Sequence, residues 1–225
     1  MDTDVLRQAP LFSALDDEAT AALRSSLGTV KLRRGEVLFH EGDSGDKLYI
    51  VADGKVKLGR TSADGRENLL AILGPGQMFG ELSLFDPGPR SATVTAVTDT
   101  AFFSLSHDDL LRWLEGRPGV AHGLLSQLAS RLRRANDVVA DLVFSDVPGR
   151  VAKALLDLAD RFGRTADDGV HVHHDLTQEE LAQLVGASRE TVNKALADFA
   201  SRGWLRLEPR SVVLMDIDRL QRRSR

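Results

Sequence analysis

Two short motifs in the first half of the sequence carry residue types that suit a phosphorylated sugar. Gly80-Glu81 precedes Arg90-Ser91 by ten positions. A glycine lets backbone N–H groups come close to an anion, and an arginine guanidinium offers two parallel donors to a phosphate. A carboxylate accepts hydrogen bonds from the hydroxyl groups of a ribose. The pattern therefore predicts a sugar-phosphate pocket, although the same residues also fit a surface ion pair between Glu81 and Arg90.

A second set of residues, between positions 175 and 207, suits contact with DNA. Thr177 and Glu180 have the spacing of a capping box, which begins a helix. Gly186 permits a sharp turn, and Ser188 can cap a second helix. Two short helices joined by a turn that contains glycine form a helix-turn-helix.

The outward positions of that second helix hold side chains that can read base edges: Arg189, Glu190, Asn193 and Lys194. Arginine and lysine pair with guanine, glutamate accepts from cytosine, and asparagine suits adenine. All four lie in the first two turns, where a recognition helix meets the major groove. Glu190 and Lys194 are also four positions apart, as in an ordinary solvent-exposed helix, so that interpretation stays open.

A hairpin is predicted after Gly203. The runs 204–207 and 212–215 flank the segment Glu208-Pro209-Arg210, whose proline favours a turn. Such a hairpin beside a helix-turn-helix would form a wing along the phosphate backbone. The back of the chain therefore predicts a winged helix-turn-helix.

The pocket motifs lie within a region of β character that runs from Arg33 to about Ser106. Ten of the 19 glycines fall between Gly35 and Gly88, among short runs of β-forming residues. Short strands at regular spacing with glycine turns are typical of a β-barrel, roll or sandwich. The predicted strands are the runs 37–39, 48–51, 56–58, 69–73, 92–97 and 101–105, and a helix is predicted over 16–27.

After Pro118, apolar residues recur at steps of three and four, as along the seam of a coiled coil. The stripe is narrow, which favours a parallel pair of helices and hence a homodimer through residues 118–144. A single amphipathic helix lying on its own domain is the alternative. Val147-Pro148-Gly149 is predicted to break this helix and act as a hinge, before a further helix that ends at Gly163. The stripe consists of Leu125, Leu128, Leu132, Ala135, Val139 and Leu142.

The composition limits the chemistry that the chain can perform. It has 225 residues, no cysteine and a net charge of −4. The lack of cysteine excludes a disulfide, a thiolate zinc site, a cysteine-ligated iron–sulfur cluster and a cysteine nucleophile. Residues 1–116 hold 12 basic against 18 acidic side chains, and residues 148–225 hold 13 against 12, which indicates two different tasks. No apolar run approaches the roughly 20 residues that cross a bilayer. The acidic start is unlike a signal peptide, so a cytoplasmic protein without membrane contact is expected.

Catalysis and metal binding are not predicted. The sequence has no phosphate loop of the G-x-x-x-x-G-K-[ST] type and no H-E-x-x-H motif. His171, His173 and His174 lie close together, but the exposed edge of a strand accounts for them better than a metal site. Three isolated histidines could be drawn as haem ligands but fit ordinary surface or core positions better: His40, His107 and His122.

Taken together, these motifs resemble the cyclic AMP receptor protein branch of the CRP/FNR transcription regulators, and in particular its actinobacterial members. The resemblance covers essentially the whole chain. It rests on the segments 79–85, 90–92, 146–150 and 186–192 together with the long helix. It implies an α+β fold with a cyclic-nucleotide-binding β-roll over 1–116, a dimerisation helix and hinge over 117–147, and a winged helix-turn-helix domain over 148–225.

The resemblance also implies a cyclic AMP pocket. Its residues would be Gly80, Glu81, Leu82, Ser83, Arg90 and Ser91 on the roll, with Ala135 and Asn136 on the long helix. The glycine and the glutamate would hold the ribose, the arginine and its serine the cyclic phosphate, and the helix residues the adenine. Many relatives carry threonine in place of Ala135, so one hydroxyl partner of the base is absent here. A lost hydrogen bond costs roughly 0.5–1.5 kcal/mol, which weakens binding without abolishing it.

The function implied is a cyclic-AMP-responsive, homodimeric DNA-binding regulator that recognises a TGTGA-like palindrome and works with RNA polymerase. Arg189 would read guanine, Glu190 cytosine, and Lys194 a base or phosphate. The remaining DNA contacts would come from Thr177, Gln178, Ser188 and Asn193. The alternative is an effector-independent or differently gated regulator of the same family. An enzyme acting on cyclic nucleotides is disfavoured, because the sequence shows no placed general base or metal cluster.

Overall fold

The computed structural model describes residues 5–6, 12, 17–62, 64–85, 88–115 and 118–224. The chain divides into two compact units. The first combines Leu70–Arg134 with the described residues up to Arg60, and the second combines Thr61–Leu69 with Ala135–Arg225.

The described helices and strands are named here in chain order. Up to residue 144 they are α1 (Asp17–Ser26), β1 (Gly28–Leu32), β2 (Val37–Phe39), β3 (Lys47–Asp53), β4 (Val56–Thr61), β5 (Glu67–Leu73), β6 (Met78–Phe79), α2 (Leu82–Phe85), β7 (Thr93–Ala96), β8 (Thr100–Ser106), α3 (His107–Leu114) and α4 (Pro118–Phe144). They continue with α5 (Val147–Phe162), β9 (Gly163–Ala166), β10 (Gly169–Val172), α6 (Gln178–Val185), α7 (Arg189–Ser201), β11 (Leu205–Glu208), β12 (Ser211–Leu214) and α8 (Ile217–Arg223).

Two four-stranded sheets form a β-roll at the front of the chain. Their strand orders are β1-β8-β3-β6 and β2-β7-β4-β5. Side chains of a strand point alternately to its two faces, so β3 serves two core clusters. Leu48 and Ile50 pack in one cluster, and Val51 packs with Phe79 and Phe102 in the other. All six predicted strands are present, which confirms the predicted β-roll.

Three strands and three helices were not predicted, and the helices are α2, α3 and α8. Strand β1 lies at the edge of its sheet and buries no side chain fully, β6 has two residues, and β9 is largely exposed. Helix α3 did carry a local signal, because Asp109 N donates to the Ser106 side chain at the helix start, at 3.2 Å. The three strands have only five, two and four residues, which is too short for a hydrophobic alternation to reveal them.

The long helix α4 keeps most of its predicted stripe in solvent. Leu124 is buried and Leu128 packs against the core of the first unit, so the single-helix interpretation holds for this part. Beyond them, Leu132 is 64%, Val139 62% and Leu142 52% exposed. More than half of each of these three side chains is therefore exposed to solvent in the described chain.

The predicted position of the hinge is wrong. Helix α4 ends at Phe144, and α5 begins at Val147 with Asp146 as its N-cap. Val147-Pro148-Gly149 is thus the first turn of α5, because a proline near a helix start needs no N–H partner and has a suitable φ. The break lies at Ser145-Asp146 instead. The helix does end before Gly163, as predicted.

The second unit contains the predicted pair of short helices and the hairpin. Helices α6 and α7 pack on α5, and Leu155, Leu181 and Val192 of these helices are buried. The strands form one sheet in the order β11-β12-β10-β9. The hairpin of β11 and β12 lies within one residue of the predicted runs. The unit has the form of a winged helix-turn-helix, so the α+β fold is confirmed.

Candidate ligand pocket and nucleic-acid interface

Arg90 is the fixed centre of the pocket in the first unit. Its side chain is buried, and Nη1 and Nη2 donate to the carbonyl oxygens of Gly80 and Lys47, each at 2.8 Å. The guanidinium also lies over the ring of Phe39, 4.4 Å from the centroid, where a cation–π attraction holds it. These contacts set the plane of the guanidinium.

Two glycines make room for this arginine. Gly80 has φ +82°, which favours glycine, and a Cβ there would lie 2.8 Å from Arg90 Nη1. A Cβ at Gly45 would overlap the Nε and Cζ atoms of Arg90. Gly45 was not predicted as a site residue, because nothing in its local sequence shows that an arginine 45 positions later packs on it.

Burial and neighbouring charges have opposite effects on the pKa of Arg90. Burial lowers the pKa of Arg90 below its ordinary value, whereas the electrostatic influence of Tyr49, Asp46 and Glu81 raises it. An arginine stays protonated in proteins, so the pocket holds a buried positive charge. Burial also disfavours the charged form of Tyr49 and so raises the pKa of its hydroxyl, while the positive charge of Arg90 opposes this shift.

Glu81 is fully buried and pairs with α4 rather than with Arg90. Arg131 Nη1 donates to Glu81 Oε1 at 2.6 Å, and Arg131 Nη2 donates to the carbonyl of Met78. The alternative interpretation, a surface ion pair between Glu81 and Arg90, is therefore wrong. Arg131 is a site residue that was not predicted, because its partner lies 50 positions away.

One donor and one acceptor in the pocket have no partner in the described chain. They are Arg90 Nε and Glu81 Oε2, and both are buried. An unsatisfied buried polar atom costs about 1–3 kcal/mol, more when it is charged. A ligand that offers an anionic acceptor to the arginine and a hydroxyl to the glutamate would satisfy both.

The cavity at these residues is small in this conformation. It has a volume of about 60 Å³ and is lined by residues that include Gly80, Glu81, Arg90 and Arg131. Small-molecule sites usually measure roughly 300–1,000 Å³, so a nucleotide needs the lining side chains to move. A larger groove of about 760 Å³ at Lys31, Glu36 and Asp99 is open and mixed in charge. It holds neither of the two unpartnered atoms.

The other predicted pocket residues are spread over two units. Leu82 is 53% exposed, Ser83 is half-buried and Ser91 exposed. Ala135 and Asn136 are exposed on α4 and belong to the second unit. Their contact with a base stays a prediction.

The helix-turn-helix forms as its caps predict. Glu180 N donates to Thr177 Oγ1 at 3.1 Å, and Thr177 N donates to Glu180 Oε2 at 2.8 Å. Gly186 ends α6 in the left-handed region at φ +69°, and Ser188 Oγ accepts from Thr191 N at 3.2 Å. Local side-chain chemistry therefore fixes both helix starts.

The outer face of α7 presents most of the predicted base-reading residues to solvent. Arg189 is exposed, and Glu190 pairs with Lys194 at 2.7 Å with both side chains at least 75% exposed. Such exposed pairs contribute about 0–1 kcal/mol, so both groups can exchange partners at little cost. Asn193 is half-buried, and its Oδ1 is buried without a partner in the described chain. Thr177, Gln178 and Ser188 are exposed at the helix starts.

The histidines of the second unit have structural partners. His171 Nε2 lies 2.7 Å from Asp168 Oδ1, and Arg206 Nη2 donates to Asp168 Oδ2 at 2.8 Å. These hydrogen bonds, from His171 first and then Arg206, lower the pKa of Asp168 to about 2. His174 is buried, and its Nδ1 accepts from Leu176 N at 3.1 Å. Within the described ranges no three His, Asp or Glu side chains are grouped to hold a metal ion.

Comparison with known proteins agrees with this architecture. Residues 29–117 match the cyclic nucleotide-binding domain, and residues 149–223 match the Crp-like helix-turn-helix domain. The chain is 56% identical over 222 residues, 99% of both chains, to the CRP-like cAMP-activated global transcriptional regulator of Mycobacterium tuberculosis. It is 40% identical over 94% of both chains to the cyclic AMP receptor protein of Thermus thermophilus. The crystal structure of Thermus thermophilus catabolite activator protein, 40% identical, matches 96% of this chain and 98% of that one with a TM-score of 0.56.

A cyclic nucleotide-binding domain followed by a helix-turn-helix domain defines a DNA-binding transcription regulator. At this level of identity and coverage, the chain belongs to the CRP/FNR family, in its CRP-like branch. The family consists of DNA-binding regulators and not of enzymes, which confirms the predicted lack of catalysis. No helix in the described part of the chain has the length and hydropathy to span a membrane.

Proposed function

We propose that this chain is a homodimeric regulator that binds cyclic AMP in its first unit and a palindromic DNA operator with its second. The observation that supports cyclic AMP as the ligand is a pair of buried atoms without a partner in the described chain, Arg90 Nε and Glu81 Oε2. One is a cationic donor and the other an anionic acceptor. A cyclic phosphate with an adjacent ribose hydroxyl satisfies both at once.

The ligand would occupy the pocket that Gly80, Leu82, Ser83 and Ser91 complete. Arg90 would receive the phosphate and Glu81 the ribose hydroxyl, as the relatives named for cyclic AMP suggest. Adenine would lie against the two helix residues, Ala135 and Asn136. Since Ala135 offers no hydroxyl, cyclic AMP would bind up to about tenfold more weakly than it would to a threonine variant.

DNA binding would use the exposed start of α7. Arg189 would read guanine and Glu190 cytosine in a TGTGA-like half-site, and Thr177 and Gln178 would contact phosphates. Lys194 would contact a base or phosphate beside them. The dimer would form through residues 118–144, because the exposed stripe of α4 matches a coiled-coil seam. The two helix-turn-helix domains of the dimer would then enter successive major grooves about 34 Å apart. The regulator would act in the cytoplasm and contact RNA polymerase.

Isothermal titration calorimetry of nucleotide-free protein with cyclic AMP tests the pocket. Arg90→Leu removes the buried cation and should abolish binding. Arg112→Leu removes an arginine that is 72% exposed on α3, and should bind as the wild type does. Equal affinity of the wild type and Arg90→Leu would place the ligand elsewhere.

The second candidate is a regulator of the same family whose DNA binding does not depend on a cyclic nucleotide. The observation that favours it is the ion pair of Arg131 with Glu81, which already occupies one carboxylate oxygen in a cavity of about 60 Å³. The two candidates differ in whether cyclic AMP changes the affinity for DNA.

A further inference from the structure

The junction between α4 and α5 is held by a residue from the last helix. Asp146 Oδ1 accepts from Gly149 N at 2.9 Å and so caps α5. The other carboxylate oxygen, Oδ2, accepts from Arg223 Nη2 at 2.6 Å. Arg223 lies in the last turn of α8, 77 positions away in sequence. One carboxylate thus joins the hinge to α8.

Helix α8 is anchored where this contact needs it. Leu220 is fully buried, and Asp216 caps the helix by accepting from Arg219 N at 2.9 Å. The first turn of α5 makes room for it, because a Cβ at Gly149 would lie 3.3 Å from both Arg223 Nη1 and Arg223 O. The close contact between α8 and the start of α5 therefore depends on packing as well as on charge.

The same junction is tied to the helix-turn-helix from its other side. Arg150 donates from Nη1 to the Ser145 carbonyl at 2.8 Å and from Nε to the Val185 carbonyl at 3.1 Å. Lys153 pairs with Asp141 of α4 at 2.5 Å. A continuous set of contacts therefore runs from the last turns of α4, through the hinge, to the end of α6.

We propose that Arg223 is a positioning residue for DNA binding, which fixes Asp146 and thereby the direction in which α5 leaves α4. The end of α4, Ala135–Phe144, belongs to the same compact unit as the helix-turn-helix. With the hinge fixed, a movement of α4 is passed to the recognition helix α7 rather than absorbed at Ser145-Asp146. The link to an effector rests on the proposed function; the clasp itself, the contact of Arg223 with Asp146, does not.

The first measurement is hydrogen–deuterium exchange in the full chain without ligand. Arg223→Gln should speed exchange at the amides of Gly149 and Arg150, which donate to Asp146, by about two- to fivefold, the range that an exposed ion pair supports. Arg223→Lys should restore most of the protection. Arg222→Gln makes the same charge change on an exposed neighbour and should match the wild type. Unchanged exchange in Arg223→Gln, or an equal rise in Arg222→Gln, overturns the proposal.

The second measurement is the ratio of DNA affinities with and without cyclic AMP. Arg223→Gln should lower this ratio about two- to fivefold. Asp146→Asn should do the same, since asparagine still caps the helix but loses the ion pair. The double variant should add nothing, because both changes remove one contact. An unchanged ratio in Arg223→Gln contradicts the positioning role. A wild type without any response to cyclic AMP instead contradicts the proposed function, and the exchange result then decides on the clasp.

Discussion

Arg90 shows how single residues decide what the first unit can hold. A buried cation needs nearby compensation, and here it comes from two carbonyl oxygens and the ring of Phe39. Those contacts leave Nε without a partner in the described chain, where an anion can meet it. The charge is therefore oriented before a ligand arrives, which lowers the entropic cost of binding.

Gly45 sets the position of that cation. In Gly45→Ala the new methyl group would overlap Arg90, so the guanidinium must move and cyclic AMP affinity should fall at least about tenfold, the equivalent of one lost charged hydrogen bond. Ser44→Ala, on an exposed neighbour in the same loop, should leave affinity unchanged. Calorimetric titration compares the two variants. Equal affinities would show that Arg90 tolerates displacement and is not the anion site.

Asp168 gives the wing a defined response to acid. Its pKa lies at about 2 in the folded chain because His171 and Arg206 donate to it, below the ordinary value of 3.8. A lowered folded pKa means that its contribution is present above pH 3.8 and is lost as the pH falls through about 2. Asp168→Asn should therefore be less stable than the wild type at about pH 5, and the difference should shrink towards about pH 2. Urea unfolding at several pH values measures this, with Asp167→Asn as the matched control; a constant difference contradicts it.

Residue types at the site were readable from sequence, but their partners were not. Gly80, Glu81 and Arg90 were predicted because glycine, carboxylate and guanidinium each have a specific use beside a sugar phosphate. Arg131 and Arg223 were missed because their partners lie 50 and 77 positions away. Such pairings depend on how elements pack, which no local spacing encodes.

At the scale of elements, local chemistry predicted helix starts better than strand edges. The capping box at Thr177 and the cap at Ser188 are written within four residues, so α6 and α7 were found. Strand β1 depends on its pairing with β8, and its own apolar alternation is limited to Val30 and Leu32. The hinge was misplaced because Pro148 can end one helix or begin another, and the cap at Asp146 decides for the second.

The turn between α6 and α7 depends on one glycine. Gly186→Ala would place a side chain at φ +69° and bring its Cβ to 3.3 Å from Leu142 Cδ2. The left-handed conformation costs about 1–2 kcal/mol, so the urea midpoint should fall. Gly203→Ala has the same strain at φ +72° with open space around it. The excess loss in Gly186→Ala measures the contact with Leu142; a smaller loss than in Gly203→Ala would contradict the crowding.

At the scale of the whole molecule, the exposed apolar stripe of α4 is the feature that favours dimerisation with a second copy of the chain. Leu132 is 64% exposed at the middle of that stripe. Leu132→Lys would bury a charge in the proposed seam, so sedimentation velocity should show a shift from dimer to monomer. Ala129→Lys adds the same charge at an exposed position off the stripe and should remain dimeric. A monomeric wild type, or a dimeric Leu132→Lys, would rule out this seam.

Binding of a cyclic nucleotide by the first unit should control the affinity of the second unit for DNA. Fluorescence anisotropy of a labelled TGTGA-type palindrome, titrated with nucleotide-free protein at fixed salt, measures this coupling directly. Cyclic AMP should tighten binding by roughly 5- to 150-fold, the usual range of allosteric coupling, and a scrambled duplex should show no such gain. Equal affinity with and without cyclic AMP, or equal binding of both duplexes, would contradict a cyclic-AMP-controlled regulator.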